Sequence, residues 1–230
     1  MAPALRRFVT TVADLALGSV CAGCAAAPGL LCDPCRAELA RPAWLERTLP
    51  GDLRVAAVTI YGGVPRSVVL AHKERGRLAL AGPLGDALAV AVAAVLEAGG
   101  CARCGSRPVG LVPAPSARSA VRHRGHDPML RVARRASTIL RRAGHACLVV
   151  PAMRHRRRVS DQAGLGQAAR LANLREALTV RGPSTRLLAG ACVVVVDDVV
   201  TTGATLAESA RALQAASLRP CGAAVVAAAR

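Results

Sequence analysis

The segment Val193–Thr205, VVVVDDVVTTGAT, holds the densest chemistry in the chain. Its four valines read as a strand buried on both faces. Two adjacent carboxylates, Asp197 and Asp198, come where that strand is expected to end, in a loop over 197–203. The run Thr201-Thr202-Gly203-Ala204-Thr205 then leads into a helix. In open α/β sheets, ligands sit at the carboxyl ends of strands. A helix N-terminus presents unpaired N–H groups and the positive end of its dipole, which suits a phosphate. Gly203 lets the backbone close on such an anion, and the threonine hydroxyls add donors. The two carboxylates must then serve something else, and vicinal sugar hydroxyls with an associated Mg²⁺ are their natural partners.

A second basic region follows the short apolar run Val109–Val112. Arg118, Arg122 and Arg124 come within a few residues of one another, and guanidinium forks suit phosphate oxygens. Residues 118–158 hold twelve arginines against the single acid Asp127, a net +11 in under a fifth of the chain. Such concentration argues for an anionic partner. Arg154, Arg156, Arg157 and Arg158 would form a basic rim, which either contacts a nucleic-acid backbone or is simply a solvated charge run. No aromatic residue lies within 118–158. Contact with single-stranded DNA there would therefore be electrostatic and salt-sensitive rather than built on base stacking.

The nine cysteines are unevenly spaced. Cys21-x2-Cys24 and Cys32-x2-Cys35 supply four thiolates at zinc-knuckle spacing. Zn²⁺ favours a closed tetrahedral set of this kind. So small a module cannot build a core alone, so the metal would contribute much of its folding energy. Redox disulfides are the alternative. Cys101-x2-Cys104 lacks a second pair nearby and reads either as a redox pair or as an incidental loop. Cys147, Cys192 and Cys221 sit in apolar surroundings and read as core.

These groups need a scaffold. Residues 1–50 read as a small module: an amphipathic helix before Cys21, the cysteine knuckles, then a short helix. Residues 51–230 read as the main domain. Strands are expected at 53–60, 109–112, 147–150, 192–196 and 223–229. Helices are expected at 64–73, 78–98, 128–142, 167–176 and 204–216, with an arginine-rich loop over 152–162. Asp127-Pro128 is a good helix start, because Asp can cap and Pro suits the first helical position. Strands alternating with helices predict an α/β fold, a parallel sheet with helices on its faces.

The run Asp197–Thr205 resembles the phosphoribosyl-pyrophosphate (PRPP) loop of the type I phosphoribosyltransferases. The resemblance implies that Asp197 and Asp198 hold the ribose hydroxyls with Mg²⁺. It also implies that Thr201, Thr202, Gly203, Ala204 and Thr205 bind the 5′-phosphate. By the same resemblance, Pro115 and Ser116 join Arg118, Arg122 and Arg124 at the pyrophosphate. More of the chain resembles one branch, the ComF-like proteins. The resemblance covers the N-terminal cysteine knuckles, Tyr61-Gly62-Gly63, the segment around Lys73 and VPAPSARSAVRHRG (112–125). It continues through Gln162, Arg170-Leu171-Ala172-Asn173-Leu174 and the PRPP loop. That family usually has RGFNQ where this chain has Arg124-Gly125-His126-Asp127-Pro128, so no role is carried over to the Asn or Gln side chains.

Composition narrows the alternatives. The chain has 230 residues, of which 53% are hydrophobic and 20% charged, which excludes a disordered chain of low hydrophobicity. Its net charge of +17 is almost all arginine, and its only aromatics are Phe8, Trp44 and Tyr61. The apolar runs Leu84–Leu96, Ala191–Val196 and Ala223–Ala229 are shorter than the roughly 20 residues of a bilayer span. Asp14 interrupts the N-terminal apolar stretch, which argues against a signal peptide and for a cytoplasmic protein. Three functions remain: phosphoribosyl transfer from PRPP to an undetermined acceptor, a PRPP-binding adaptor, or a PRPP-sensing regulator. The adaptor, implied by the ComF resemblance, would serve single-stranded DNA uptake in natural transformation (competence), beside a helicase-like partner.

Overall fold

The computed structural model describes residues 20–98, 107–116, 121, 122, 124–156 and 176–229. The expected helix before Cys21, all but Glu176 of the helix expected at 167–176, Cys101 and Cys104, and Arg118, Arg157 and Arg158 lie outside the described residues. The elements run in order α1 (Asp33–Leu39), β1 (Trp44–Leu49), β2 (Leu53–Ile60), α2 (Gly63–Glu74) and α3 (Ala81–Ala98). Then follow β3 (Val109–Pro113), α4 (Pro128–Arg142), β4 (Cys147–Val149), β5 (Met153–His155) and β6 (Leu178–Val180). The chain closes with α5 (Gly182–Leu188), β7 (Cys192–Val200), α6 (Ala204–Gln214) and β8 (Pro220–Ala228).

Six strands form one sheet in the order β1-β2-β8-β7-β3-β4, parallel throughout except for the antiparallel edge strand β1. The central strands are apolar on both faces. Val194, Val196, Ala56 and Val226 pack under α2, α3 and α4, while Val193, Val195, Ala57 and Val225 pack under α6. This is the period-2 alternation of a sheet covered on both sides. Helices α4 and α6 follow the neighbouring strands β3 and β7 onto opposite faces. The carboxyl ends of those two strands therefore flank a topological switch point, where open sheets bind ligands.

Asp127 caps α4 as its sequence position suggests, its carboxylate accepting from Leu130 N at 3.1 Å with Pro128 opening the helix. Four short elements were not expected, among them α5 (Gly182–Leu188). The strand β1 lies between Pro42 and Pro50, and β5, within the loop expected over 152–162, pairs with β6 in a separate two-stranded antiparallel ribbon. Leu178 of β6 is fixed from outside the ribbon. Its N–H donates to the buried Glu208 of α6 at 3.0 Å, and its carbonyl accepts from Arg211 at 3.1 Å.

Helix α3 with the 3-10 turn before it, Leu78–Ala98, has mean hydropathy 1.9 over its most apolar window and by length and composition could cross a bilayer. The shorter run Leu84–Leu96 had excluded this. The helix packs on β2, β8 and α4, with Leu84, Leu88, Val92 and Val95 buried, so its apolar character belongs to the core. The N-terminal cysteine segment is joined to the same core: Leu31 and Leu39 belong to the apolar cluster that contains Val68 and Leu84. The proposed boundary at 50/51 falls in the turn between β1 and β2, so the two units share a sheet.

Cys147 is a buried thiol, and Cys221 is half-buried in β8. Cys192 is buried in the core, as its apolar surroundings imply, and is disulfide-bonded.

Candidate functional site

The strand β7 runs past the four valines to Val200, so Asp197 and Asp198 lie within it and not in a following loop. Pairing with β8 continues through Asp197↔Val225 and Val199↔Ala227. The central parallel strand simply outlasts its apolar stretch. Pleating sends the two acids to opposite faces. Asp198 reaches the α2 side, where its Oδ2 accepts from Lys73 Nζ at 2.8 Å. Asp197 accepts from the backbone N–H of Asp198 at 2.8 Å. Burial, and then the charge of Asp198, push the Asp197 carboxyl up to about 8, against the opposing pull of Lys73. For Lys73, burial favours the neutral amine, but the two carboxylates outweigh it and hold its pKa above the usual value.

This has a testable sign. In the unfolded chain the Asp197 proton leaves near the ordinary value of 3.8, whereas the folded protein keeps it to about 8. Between those values the folded state holds the extra proton, so stability falls as pH rises, by up to about 1.4 kcal/mol per pH unit for one proton. Urea midpoints of wild type and Asp197→Asn, taken at pH 5 and pH 8 without divalent cations, are expected to show a smaller fall in the variant. A fall of equal size in both proteins contradicts the assignment.

The loop after β7 is shaped by its neighbours. Gly203 precedes α6 with φ +80°, in the left-handed region that favours glycine. A Cβ there would lie 2.5 Å from a Leu49 methyl, so β1 packs directly against the loop. Arg47, also on β1, donates to the Thr201 carbonyl at 3.1 Å and to the Ala229 carbonyl at 3.1 Å. The Thr202 hydroxyl accepts from Ala204 N at 3.3 Å. The result is a tight turn delivering the first amides of α6, an 11-residue helix, to the carboxyl edge of the sheet.

The loop after β3 lies beside it, with Ala114 N bonded to the Val196 carbonyl at 2.8 Å. A cleft of about 320 Å³ opens there, lined among others by Pro115, Ser116, Arg122, Asp127, Met153 and Arg181. Three of the residues expected at a pyrophosphate site thus share one cleft. Arg124 does not line it; its guanidinium makes two contacts with Glu74, at 3.0 and 3.3 Å. Arg181 was not anticipated, because it stands at the start of the unforeseen helix α5.

Among the described residues, the arginines of the basic stretch fall in separate places. Five of its arginines lie along α4, where Arg135 pairs with Asp86 at 2.8 Å and Arg141 donates to the Thr138 hydroxyl at 3.3 Å. Arg154 and Arg156 sit apart, flanking an open cleft on the β5–β6 ribbon with His155 and Thr179.

The four cysteines Cys21, Cys24, Cys32 and Cys35 bring their sulfurs within 4.8 Å of one another. The Cys21–Cys32 and Cys24–Cys32 separations are 3.5 and 3.8 Å. Four thiolates at a Zn–S distance of about 2.3 Å stand about 3.8 Å apart in a tetrahedron, so the set fits a structural zinc ion. Burial works against ionisation of Cys21, but N–H groups of Cys32, Cys24 and Gly23 outweigh it and lower the thiol to about 6. Gly23 is required for space: a Cβ would lie 2.7 Å from Cys35 Sγ and 2.9 Å from Val64. Arg77 ties the segment to the main domain by donating to the Val20 and Gly29 carbonyls at 2.7 and 3.4 Å.

The second half of the chain can be placed among known proteins. Residues 130–230 match the family described as phosphoribosyl transferase domain. The match begins in the first turn of α4 and takes in β7, both acids, the Thr201–Thr205 turn and β8. The fold is that of a phosphoribosyl transferase domain: a mostly parallel mixed sheet flanked by helices. A substrate of the PRPP type goes with that domain. The cysteine cluster, β1–β3 and the loop after β3 precede the matched segment. No curated protein matches the chain.

Proposed function

We propose that this chain is a ComF-like phosphoribosyltransferase of the cytoplasm that binds PRPP with Mg²⁺ and transfers its phosphoribosyl group to an acceptor. One observation carries the reading. The acidic pair and the TTGAT turn stand at the carboxyl edge of β7, beside the loop after β3, at the switch point of the sheet.

On this reading Asp197 and Asp198 accept from the ribose hydroxyls. The backbone and hydroxyls of Thr201, Thr202, Gly203, Ala204 and Thr205 hold the 5′-phosphate at the start of α6. The pyrophosphate lies at Pro115, Ser116 and Arg122, joined by Arg118, which lies outside the described residues, and Arg124 comes within reach only by exchanging Glu74 for phosphate oxygens. In the reaction the bond between C1′ and the pyrophosphate oxygen breaks, its electron pair leaving with the pyrophosphate. The acceptor supplies the pair for the new bond to C1′. The protein's part is to align the reactants and stabilise charge that shifts toward the leaving group. The acidic pair offers hard oxygen donors of the kind Mg²⁺ takes; bound with the diphosphate, that ion would neutralise leaving-group charge.

The test is pyrophosphate release from PRPP with a panel of purine, pyrimidine and other nitrogen acceptors, in the presence of Mg²⁺. Release that needs both PRPP and one acceptor is expected. PRPP binding without release across the panel favours a second reading, a PRPP-binding adaptor for single-stranded DNA working with a helicase-like partner. Its support is the open cleft of about 510 Å³ bounded by Arg154, His155, Arg156 and Thr179.

A further inference from the structure

Lys73 is the only lysine among the 31 lysines and arginines of the chain. It stands where α2 ends and meets the acidic pair. Arg and Lys are not interchangeable: the ammonium is a compact point charge, whereas the guanidinium is a broad planar fork. A chain whose other basic side chains of this kind are all arginine places its one compact ammonium 2.8 Å from Asp198. The Asp198 side chain is 14% exposed and the Lys73 side chain 36%, so the ion pair lies at the mouth of the site rather than beneath it.

The surrounding contacts hold this ammonium in position. His72, 2% exposed, has its ring nitrogens 3.3 Å from the Arg77 and Pro128 carbonyls, which joins the end of α2 to the start of α4. Glu74 pairs with Arg124. Three consecutive side chains therefore lock the last turn of α2 to three separate segments. The C-terminal end of a helix also favours a cation.

We propose that Lys73 belongs to the sugar-phosphate site and supplies there the positive charge that a divalent cation would otherwise bring, so that ribose 5-phosphate binds at Asp197–Thr205 without metal. The proposal rests on the reading of that site given above. Mg²⁺ is then needed for the diphosphate of PRPP and not for its sugar monophosphate.

The experiment is calorimetric titration of the full chain with ribose 5-phosphate, in buffer passed over chelating resin, with and without added Mg²⁺. A soluble chelator is avoided because it would also strip the cysteine site. Wild type is expected to bind equally in the two buffers, within about threefold. Lys73→Gln is expected to bind at least about tenfold more weakly without Mg²⁺ and to recover most of the loss when Mg²⁺ is added. Asp86→Asn, which breaks the remote ion pair to Arg135, is expected to bind like wild type in both buffers. Wild type that binds only with Mg²⁺, or Lys73→Gln that binds like wild type without it, overturns the role of Lys73 and leaves the site standing. The first of these outcomes needs no variant to fold. Ribose 5-phosphate that fails to bind wild type, or binds the double variant Asp197→Asn/Asp198→Asn equally well, overturns the site itself and Lys73 with it.

Discussion

Replacing Asp197 and Asp198 together by asparagine is expected to weaken PRPP binding at least about tenfold, or about 1.4 kcal/mol. The substitution keeps side-chain size. An amide oxygen at 197 can still accept from the N–H of residue 198, so β7 keeps its local geometry. What disappears is charge. Asparagine accepts more weakly from sugar hydroxyls and offers nothing to a cation. Lys73 at the same time loses its partner, leaving an ammonium with no counter-charge at the mouth of the site. Calorimetric titration with PRPP, with circular dichroism to confirm the fold, is the measurement. Unchanged affinity in the folded double variant would remove these residues from the site.

The second large effect concerns the cysteine cluster. Protein purified without chelator is expected to contain one zinc ion per chain, and Cys21→Ser/Cys24→Ser to contain none. Structural zinc contributes on the order of 10 kcal/mol to the folding of isolated fingers. Here the segment is not isolated, because Leu31, Leu39 and Cys35 belong to the same apolar cluster as Val68 and Leu84. The sheet is therefore expected to stay folded but to unfold at a lower temperature, as Arg77 loses the ordered carbonyls of Val20 and Gly29. Metal analysis and thermal unfolding of the two proteins test this. Wild type without zinc and with a Cys21–Cys24 disulfide would favour the redox reading.

Much of the scaffold was legible because local signals and tertiary packing agree. The run LRVAAVTI reads as a strand and is β2 over all eight residues. Asp127-Pro128 reads as a helix start and caps α4. The elements that were missed depend on distant partners. Strand β1 is an edge strand with only β2 beside it among the described residues, and WLERTL has too weak an apolar pattern to announce it. The ribbon strands β5 and β6 have three residues each, too few for periodicity to show.

The site divides in the same way. The acids and the threonine turn lie within nine residues of one another, and so could be read together. Lys73 is 125 residues from Asp198, and Arg47 is 154 from Thr201. Only the sheet order brings them together. A sequence signal for Lys73 did exist, in its being the one lysine among arginines, but without the fold nothing says which acid it meets. Arg124 stands two residues from Arg122 in the chain, but its guanidinium pairs with Glu74 of α2 rather than lining the cleft beside Arg122.

The grip of Glu208 and Arg211 on Leu178 has a consequence for how this protein meets copies of itself. The outer edge of a two-stranded ribbon is a template on which another chain can lay a strand and so begin to aggregate. At Leu178 that template is already filled. A carboxylate stands where an incoming carbonyl would dock, and a guanidinium stands where an incoming amide would donate. The two side chains are themselves joined at 2.7 and 2.8 Å, so neither is easily displaced alone. Helix α6 thus also acts as a false neighbouring strand, closing the ribbon edge at Leu178 without adding another segment of backbone.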